Sequence, residues 1–293
     1  MTGSTVTRFA PSPSGLLHLG HAYAALFAAQ AAKDEGGRFL VRIEDIDAER
    51  CRPEFEDAIY EDLRWLGLEW EEPVLRQSDR MAAYGEALER LDAMGLLYPC
   101  FCSRKEIRDE AARSGRAPHG PDGPFYPGLC RGLSPTERDD KMGQNTPFAL
   151  RIDMGKAAAA AGELSWTDRE HGTVKAEAEI FGDVVLARKA VPVGYHLAVT
   201  LDDHFQGVSL VTRGKDLFQA SHVHRLLQAL LGLDTPDYHH HVLLTSPDGH
   251  RYAKRDKALT LRSLRDAGHG PDAVREMARG RLEVPGSPGG RVR

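Results

Sequence analysis

Arg8-Phe9-Ala10-Pro11-Ser12-Pro13-Ser14-Gly15, followed by Leu16-Leu17-His18-Leu19-Gly20-His21, is the stretch whose reading decides the fold. Thr5 to Ala10 reads as a short strand, Pro11 to Gly15 as a turn, and the Ala-rich run from Gly20 as a helix that stops at Gly36-Gly37. Strand, glycine-bearing turn and helix in that order place the first turn of the helix beside a possible ligand, where unpaired backbone N–H groups and the helix dipole attract anions. His18, Gly20 and His21 occupy that end. The glycine lets backbone approach a phosphate, and the two imidazoles can donate to its oxygens and stabilise charge that develops on them.

Working outward, Phe39 to Ile43 is a second strand, and helices are expected near Pro53 and over Asp79 to Met94. Tyr98 to about Ala190 differs in texture: Pro and Gly scatter from Ala117 to Gly132, an Ala run spans Ala157 to Ala161, and short β-like pieces lie at Phe148 to Ile152 and Asp183 to Ala187. It reads as an insertion. Beyond Tyr195 the alternation resumes through a strand at Val208 to Arg213, a helix over Ala220 to Leu231, and a strand at His241 to Thr245. The expected fold is α/β, a doubly wound parallel (Rossmann-like) nucleotide-binding domain with an inserted α+β subdomain and a short helical C-terminal segment. The corresponding divisions are 1–97 and 191–250 for the two halves of the nucleotide-binding domain, 98–190 for the insertion, 251–283 for a lysine loop and helical segment, and 284–293 for a disordered tail.

Bulk properties limit the function classes. The 293 residues carry 41% hydrophobic and 28% charged side chains, an ordinary folded composition. The longest apolar stretches, such as Ala22 to Ala32, are too short to span a bilayer, and a cytoplasmic protein without membrane contact is expected. A net charge of -5 argues against a coat of nucleic acid, yet acids dominate from Glu44 to Glu89 while bases dominate from Arg251 onward. A local basic face can still meet phosphate. Four cysteines cannot form a disulfide scaffold in a chain this long; three of them fall between Cys100 and Cys130, a pattern that suits a metal site or buried free thiols.

Three ordered blocks carry a family resemblance. Arg8 to Gly15 with His18-Leu19-Gly20-His21 resembles the opening signature of glutamyl- and glutaminyl-tRNA synthetases, including the HIGH element of class I enzymes. Arg42-Ile43-Glu44-Asp45-Ile46-Asp47-Ala48-Glu49-Arg50 resembles the next segment, and Tyr195-His196-Leu197-Ala198, Asp202-Asp203-His204 and Arg213-Gly214-Lys215-Asp216-Leu217 a third. The resemblance runs from about Thr5 to Thr260. Within this family the length and Ile46 are most similar to the short paralogues, the glutamyl-Q tRNA(Asp) synthetases, which resemble the catalytic half of glutamyl-tRNA synthetase without its anticodon-binding domain.

The resemblance implies ATP-dependent activation of L-glutamate as an adenylate and its transfer to queuosine in the anticodon of tRNA(Asp), by a monomer that uses Mg²⁺ with ATP. Two alternatives stay open: a truncated glutamyl-tRNA synthetase that charges the 3' end of tRNA(Glu), and a non-catalytic RNA-binding paralogue. Implied site residues are Arg8, Phe9, Ala10, Pro11, Ser12, Glu44, Tyr195 and Arg213 around glutamate, with Glu44 holding the ammonium, and His18, Gly20, His21 and Lys254 around ATP. His18, His21 and Lys254 are the catalytic group. Arg8 and Arg213 are suited to grip carboxylate because a planar guanidinium engages both oxygens. Arg213 could instead form a surface ion pair with Asp216, Tyr195 could be a packed core ring, and Asp45 and Asp47 read better as capping and solvated residues.

Arg251-Tyr252-Ala253-Lys254-Arg255 occupies the place of the family's KMSKS loop, with Lys254 resembling its second lysine. Arginine replaces the first lysine and Ala253 the serine, so one hydroxyl is missing; Lys257 lies out of register, and a solvated basic run is the plain alternative. The resemblance also implies one structural Zn²⁺ per chain held by Cys100, Cys102, Tyr126 and Cys130, with water or His119 as substitutes for the uncommon tyrosine ligand.

Overall fold

The computed structural model describes residues 4–113, 119–121, 123–188, 192–244 and 260–280. The first half runs β1 (Val6–Phe9), α1 (Leu19–Asp34), β2 (Arg38–Ile43), α2 (Pro53–Trp65), β3 (Glu71–Arg76) and α3 (Met81–Ala93). There follow β4 (Leu97–Cys100), α4 (Arg104–Arg113), the two-residue strands β5 (His119–Gly120) and β6 (Gly123–Pro124), α5 (Pro135–Gly143), β7 (Ala149–Ile152), α6 (Met154–Ala161), β8 (Ser165–Asp168), β9 (Gly172–Lys175) and β10 (Val185–Arg188). The chain continues through α7 (Tyr195–Phe205), β11 (Leu210–Gly214), α8 (Ala220–Leu231), β12 (Asp237–His241), α9 (Leu261–Asp266) and α10 (Pro271–Ala278).

β1, β2 and β3 form one parallel set, and β11, β12 and β8 another, to which β9 adds as an antiparallel edge. Ser209 joins them: its N–H donates to the Val6 carbonyl at 3.1 Å and its hydroxyl accepts from the Val6 N–H at 2.9 Å. One half winds outward from β1 and the other from β11. Their seam is the switch point of a doubly wound sheet, where ligands meet the carboxyl ends of the strands.

Alternation along the strands sets up the site. Phe9 of β1 and Phe39, Val41 and Ile43 of β2 pack with α1 and α2, among Leu26, Ile59 and Leu63. The intervening Arg8 and Arg42 therefore point to the other face, where α7 presents Asp203. Helix α1 buries Ala22, Ala25, Ala28 and Ala32, small side chains that let it lie close to the sheet. Gly37 has the same purpose at the start of β2, since a Cβ there would stand 2.1 Å from the Thr5 carbonyl oxygen.

β4, β7 and β10 make a separate antiparallel sheet at the heart of the inserted segment. The β8–β9 hairpin, which falls inside the expected insertion, instead extends the main sheet beside β12, with Tyr238 opposite Asp168. The strand expected at His241 to Thr245 is displaced: β12 ends at His241, and Val242 beyond it is 55% exposed. Tyr238 and His240 supply the buried pair of that strand, an alternation that apolar counting does not register. β3 went unread because Glu-Glu-Pro-Val-Leu-Arg is an exposed edge. Among the described residues no helix is long and apolar enough to cross a membrane.

Candidate functional site

The N-terminus of α1 is built by its two histidines. His18 is the N-cap, and its Nδ1 accepts the Gly20 N–H at 3.1 Å; His21 Nδ1 accepts the His18 N–H at 3.2 Å. Both Nδ1 atoms are thus acceptors, and hydrogen-bond geometry assigns the proton of each neutral ring to Nε2. The rings stack at 3.8 Å between centroids. Gly20 permits this: a Cβ there would stand 3.0 Å from His18 Cε1. His18 also forms a backbone bridge to Thr260, and Leu261 donates its N–H to the Leu17 carbonyl at 2.9 Å, so the chain returns beside the two histidines immediately after the lysine-bearing segment. Lys254, with Arg251, Ala253 and Lys257, lies outside the described residues.

On the α7 face of the sheet, Asp203 accepts from Arg8 Nε at 2.9 Å and Nη2 at 3.2 Å, and from Arg42 Nη1 at 2.7 Å. Arg8 also donates to the Thr212 carbonyl. Its fork is thus held within the protein by Asp203 and the Thr212 carbonyl. Arg42 reaches Glu44 at 3.2 Å, which closes a buried set of two cations and two anions. Burial still pushes the Glu44 carboxyl above its ordinary value, against the lowering influence of Arg42 and Arg8. A further cation beside Glu44 would relieve that cost.

Arg213, at the end of β11, is only 6% exposed. Its Nε donates to His240 Nε2 at 3.2 Å, Nη1 faces His224 Nδ1 at 3.2 Å, and Nη2 donates to the Ser221 hydroxyl. All three partners are neutral groups, and Asp216 is not among them. His240 passes the interaction on, because its Nδ1 lies 2.6 Å from Asp168. Burial, then the Arg213 charge, lowers the His240 pKa to about 4. Asp168 stays anionic: burial raises its pKa, but hydrogen bonds from His171 and His240 outweigh this and bring it to about 2. His224 is held well below its ordinary value, chiefly by burial and then by Arg213. The guanidinium thus sits in a buried nest with its counter-ion one residue removed.

Tyr195 begins α7 and is 40% exposed, so it is no packed core ring. Arg213, Glu44, Arg8 and Asp203 all act electrostatically on its phenol, which places it among them. A cavity of about 800 Å³ is lined by Ser12, Glu44, Tyr195 and His196 on one side and by residues of the insertion on the other. Arg8, Arg213, His18 and His21 lie outside that lining. Phe9 is buried and Pro11 accepts the Glu44 N–H at 3.0 Å, so Phe9, Ala10 and Pro11 shape the site through backbone. The Ser12 hydroxyl donates to the Glu44 carbonyl at 2.8 Å. Asp45 caps the 3₁₀ turn Gln77–Arg80 through Ser78, and Asp47 pairs with Arg50, in keeping with their plain readings.

Cys100, Cys102 and Cys130 bring their Sγ atoms within 4.8 Å of one another. Cys102 Sγ is 3.4 Å from Cys130 Sγ and 3.7 Å from the Tyr126 hydroxyl oxygen. A tetrahedral zinc with ligands at about 2.3 Å needs sulfur atoms about 3.8 Å apart, so the donor set fits such an ion. Hydrogen bonds from Cys130, and after it Tyr126, hold the Cys100 thiol well below its ordinary value, the charge state a cation selects. The side chain of His119 lies outside the described residues.

Asp203, Arg42, Asp168, His240 and His224 complete the site and received no role from the sequence. One signal was available: Arg42 is a cation set between Val41 and Ile43 in the apolar stretch of β2, which demands a buried partner.

Comparison with known proteins accounts for this arrangement. The family described as tRNA synthetases class I (E and Q), catalytic domain, matches residues 4–282. A glutamyl-Q tRNA(Asp) synthetase of Rhodobacter capsulatus is 50% identical over 278 residues, covering 93% of this chain and 99% of that protein. One from Symbiobacterium thermophilum is 43% identical over 278 residues, covering 91% and 83%. Among solved structures, a glutamate tRNA ligase from Elizabethkingia meningosepticum in complex with its amino acid superposes with a TM-score of 0.77 at 27% identity, over 94% of this chain and 60% of the ligase.

Proposed function

Since the chain belongs to the class I tRNA synthetase family whose catalytic domains serve glutamate and glutamine, we propose that it activates L-glutamate with ATP and transfers it to queuosine in the anticodon of tRNA(Asp). The observation that carries the proposal is a buried cation without an anionic partner and a desolvated carboxylate, both acting on Tyr195. Arg213 is a buried guanidinium whose donors meet only neutral groups, and Glu44 is a desolvated carboxylate. An amino acid with an ammonium and a side-chain carboxylate satisfies both, with the ammonium on Glu44 and a carboxylate on Arg213.

Two steps follow. A glutamate α-carboxylate oxygen attacks the α-phosphorus of ATP, the bond to the bridging oxygen breaks, and pyrophosphate leaves. A hydroxyl of the RNA then attacks the mixed-anhydride carbonyl carbon; its proton departs and AMP is released. No protein nucleophile is required. The Nε2–H groups of His18 and His21 at the α1 N-terminus donate to phosphate oxygens whose charge grows during displacement, Gly20 lets backbone approach them, and Lys254 would neutralise the departing pyrophosphate. Mg²⁺ bound with ATP supplies further charge neutralisation.

The Cys100, Cys102, Tyr126 and Cys130 set would hold one structural zinc that takes no direct part in the chemistry, in a monomer that works in the cytoplasm. The acceptor is supported by the name carried by the 50% identical relative. Acylation of tRNA(Asp) with and without queuosine tests it. Labelling that needs the modified base supports the assignment; charging of tRNA(Glu) at its 3' end, or labelling indifferent to queuosine, contradicts it.

A further inference from the structure

Arg8, Arg42 and Arg213 are all buried, and they are partnered differently. Arg8 and Arg42 meet the Asp203 carboxylate directly. Arg213 meets His240, Ser221 and His224, and among the described residues no carboxylate lies within ion-pair distance of it. His224 stands on α8 and is 3% exposed. A guanidinium only donates, so His224 Nδ1, 3.2 Å from Arg213 Nη1, is the acceptor. Burial, then the Arg213 charge, keeps the ring neutral, and its single proton is therefore on Nε2. Nε2 lies 3.2 Å from His196 Nδ1, so His224 donates there and the Nδ1 of His196 is bare. His196 follows Tyr195 at the start of α7, and both line the cavity with Glu44. The two imidazoles flank the Tyr195 ring, at 5.4 Å between centroids for His196 and 5.7 Å for His224. The chain from Arg213 through His224 to His196 thus joins the buried guanidinium to the pocket wall, with each hydrogen-bond direction set by the cation and no anion along it.

We propose that His224 is a specificity-determining positioning residue: it holds Arg213 through a neutral acceptor, and so leaves the guanidinium charge to be met by the side-chain carboxylate of the substrate instead of by the protein. A carboxylate at this position would hold Arg213 equally well. It would also close a buried ion pair, remove the attraction for a substrate anion and repel it. A neutral amide would then enter as readily as an acid, since discrimination between glutamate and glutamine depends on a cation that the protein has not neutralised. An aliphatic side chain would conserve the charge but lose the aim of the fork, because Nη1 would be left without an acceptor in a buried site. A neutral imidazole meets both requirements. Its second nitrogen, by donating to His196, locks the ring against the tautomer that would present an N–H to Arg213.

The inference rests on the glutamate reading of the site, and the test separates the two. His224→Asn and His224→Asp differ in charge and hardly in shape, and each offers an oxygen near the place of Nδ1. Parent and variants are compared in ATP–pyrophosphate exchange without RNA, with glutamate or glutamine, and by thermal melting. The asparagine protein should keep its preference for glutamate, with a KM raised no more than about tenfold. In the aspartate protein the KM for glutamate should rise at least about a further 100-fold, and the glutamate-to-glutamine ratio of kcat/KM should fall by a similar factor. The KM for ATP should stay within about threefold in both, and the aspartate protein should melt no lower than the asparagine protein, because its added carboxylate is paired. Should it melt far lower, Ser221→Asp and Ser221→Asn, which change the partner of Arg213 Nη2, repeat the comparison. Equal KM values for glutamate within an Asn/Asp pair, or an aspartate protein that still prefers glutamate, would overturn the proposal. So would an asparagine protein in which the preference vanishes, since His224 would then act through packing. A parent without glutamate-dependent exchange defeats the glutamate reading, and the inference with it; a glutamate-selective parent with indistinguishable variants defeats the inference alone.

Discussion

His240 Nδ1 lies 2.6 Å from the Asp168 carboxylate, and neither side chain exposes any surface. Through His240 Nε2 the contact continues to Arg213 Nε, so an acid on β8 orients a cation at the end of β11, 45 positions later in the chain. The acid fixes the tautomer of His240 that can accept from Arg213, which leaves the guanidinium charged and correctly turned.

Asp168→Asn removes that anion while conserving shape. The side chain amide can accept or donate, so His240 loses its enforced tautomer and Arg213 its alignment. The KM for glutamate in pyrophosphate exchange should rise about 10- to 100-fold, equivalent to about 1.4–2.7 kcal/mol, with a smaller change in kcat and in the KM for ATP. Equal losses in every parameter would indicate general damage instead.

Acid stability follows from the same pair. His240 titrates near pH 4 in the folded chain against an ordinary value of 6.5, so the unfolded chain binds its proton first as pH falls. The contribution is present above pH 6.5 and is lost on descent toward pH 4, at most about 3 kcal/mol from this residue. Asp168, depressed to about 2 from 3.8, continues the loss at still lower pH. Denaturant titrations at pH 7, 5.5 and 4.5 should show this decline, and His240→Gln should flatten it.

Asp62 acts with the opposite sign. It is 1% exposed, both carboxyl oxygens lack hydrogen bonds, and burial, partly countered by Arg265, raises its pKa from 3.8 to about 6. Its charge destabilises the fold above pH 6, and that cost disappears as pH falls through 6 toward 3.8. Asp62→Asn should stabilise the protein by about 1–3 kcal/mol at pH 7.5, and the two proteins should converge near pH 4. A thermal-melt series across this range checks both parts.

Gly20→Ala places a methyl group 3.0 Å from His18 Cε1, without disturbing the buried side of α1. His18 must swing away from the helix end and surrender the Gly20 N–H. Exchange activity should fall about 10²-fold, the usual scale for losing one aligned donor, while the melting temperature changes little.

Metal analysis of purified protein should return about one zinc per chain, and Cys102→Ser should lower it. Since the cluster sits beside α4 and Arg151, chelation should impair tRNA acylation well before it impairs exchange. Retention of full acylation by metal-free protein would contradict a structural role for the metal.

Much of this was legible from residues 5 to 36, because an apolar strand, a Pro/Ser/Gly turn and an Ala-rich helix each obey local chemistry. The cysteine spacing was legible for a similar reason. What stayed hidden depends on pairings across the chain: Arg8 meets Asp203 across 195 positions, and Asp168 meets His240 across 72. Local alternation cannot report which strands are neighbours, so the β8–β9 hairpin read as insertion although it extends the main sheet. Arg8 and Arg213 looked equivalent as sequence. Only the fold shows that Asp203 occupies the first, while the second meets neutral groups alone.

The most direct test of the account is ATP–pyrophosphate exchange in the absence of RNA, with glutamate, glutamine and aspartate supplied separately, in the parent and in Arg213→Gln. Exchange supported by glutamate alone, and lost in Arg213→Gln, is the predicted result. Exchange that glutamine supports equally well, or that survives without Arg213, would contradict the claim that this unmatched guanidinium selects the substrate.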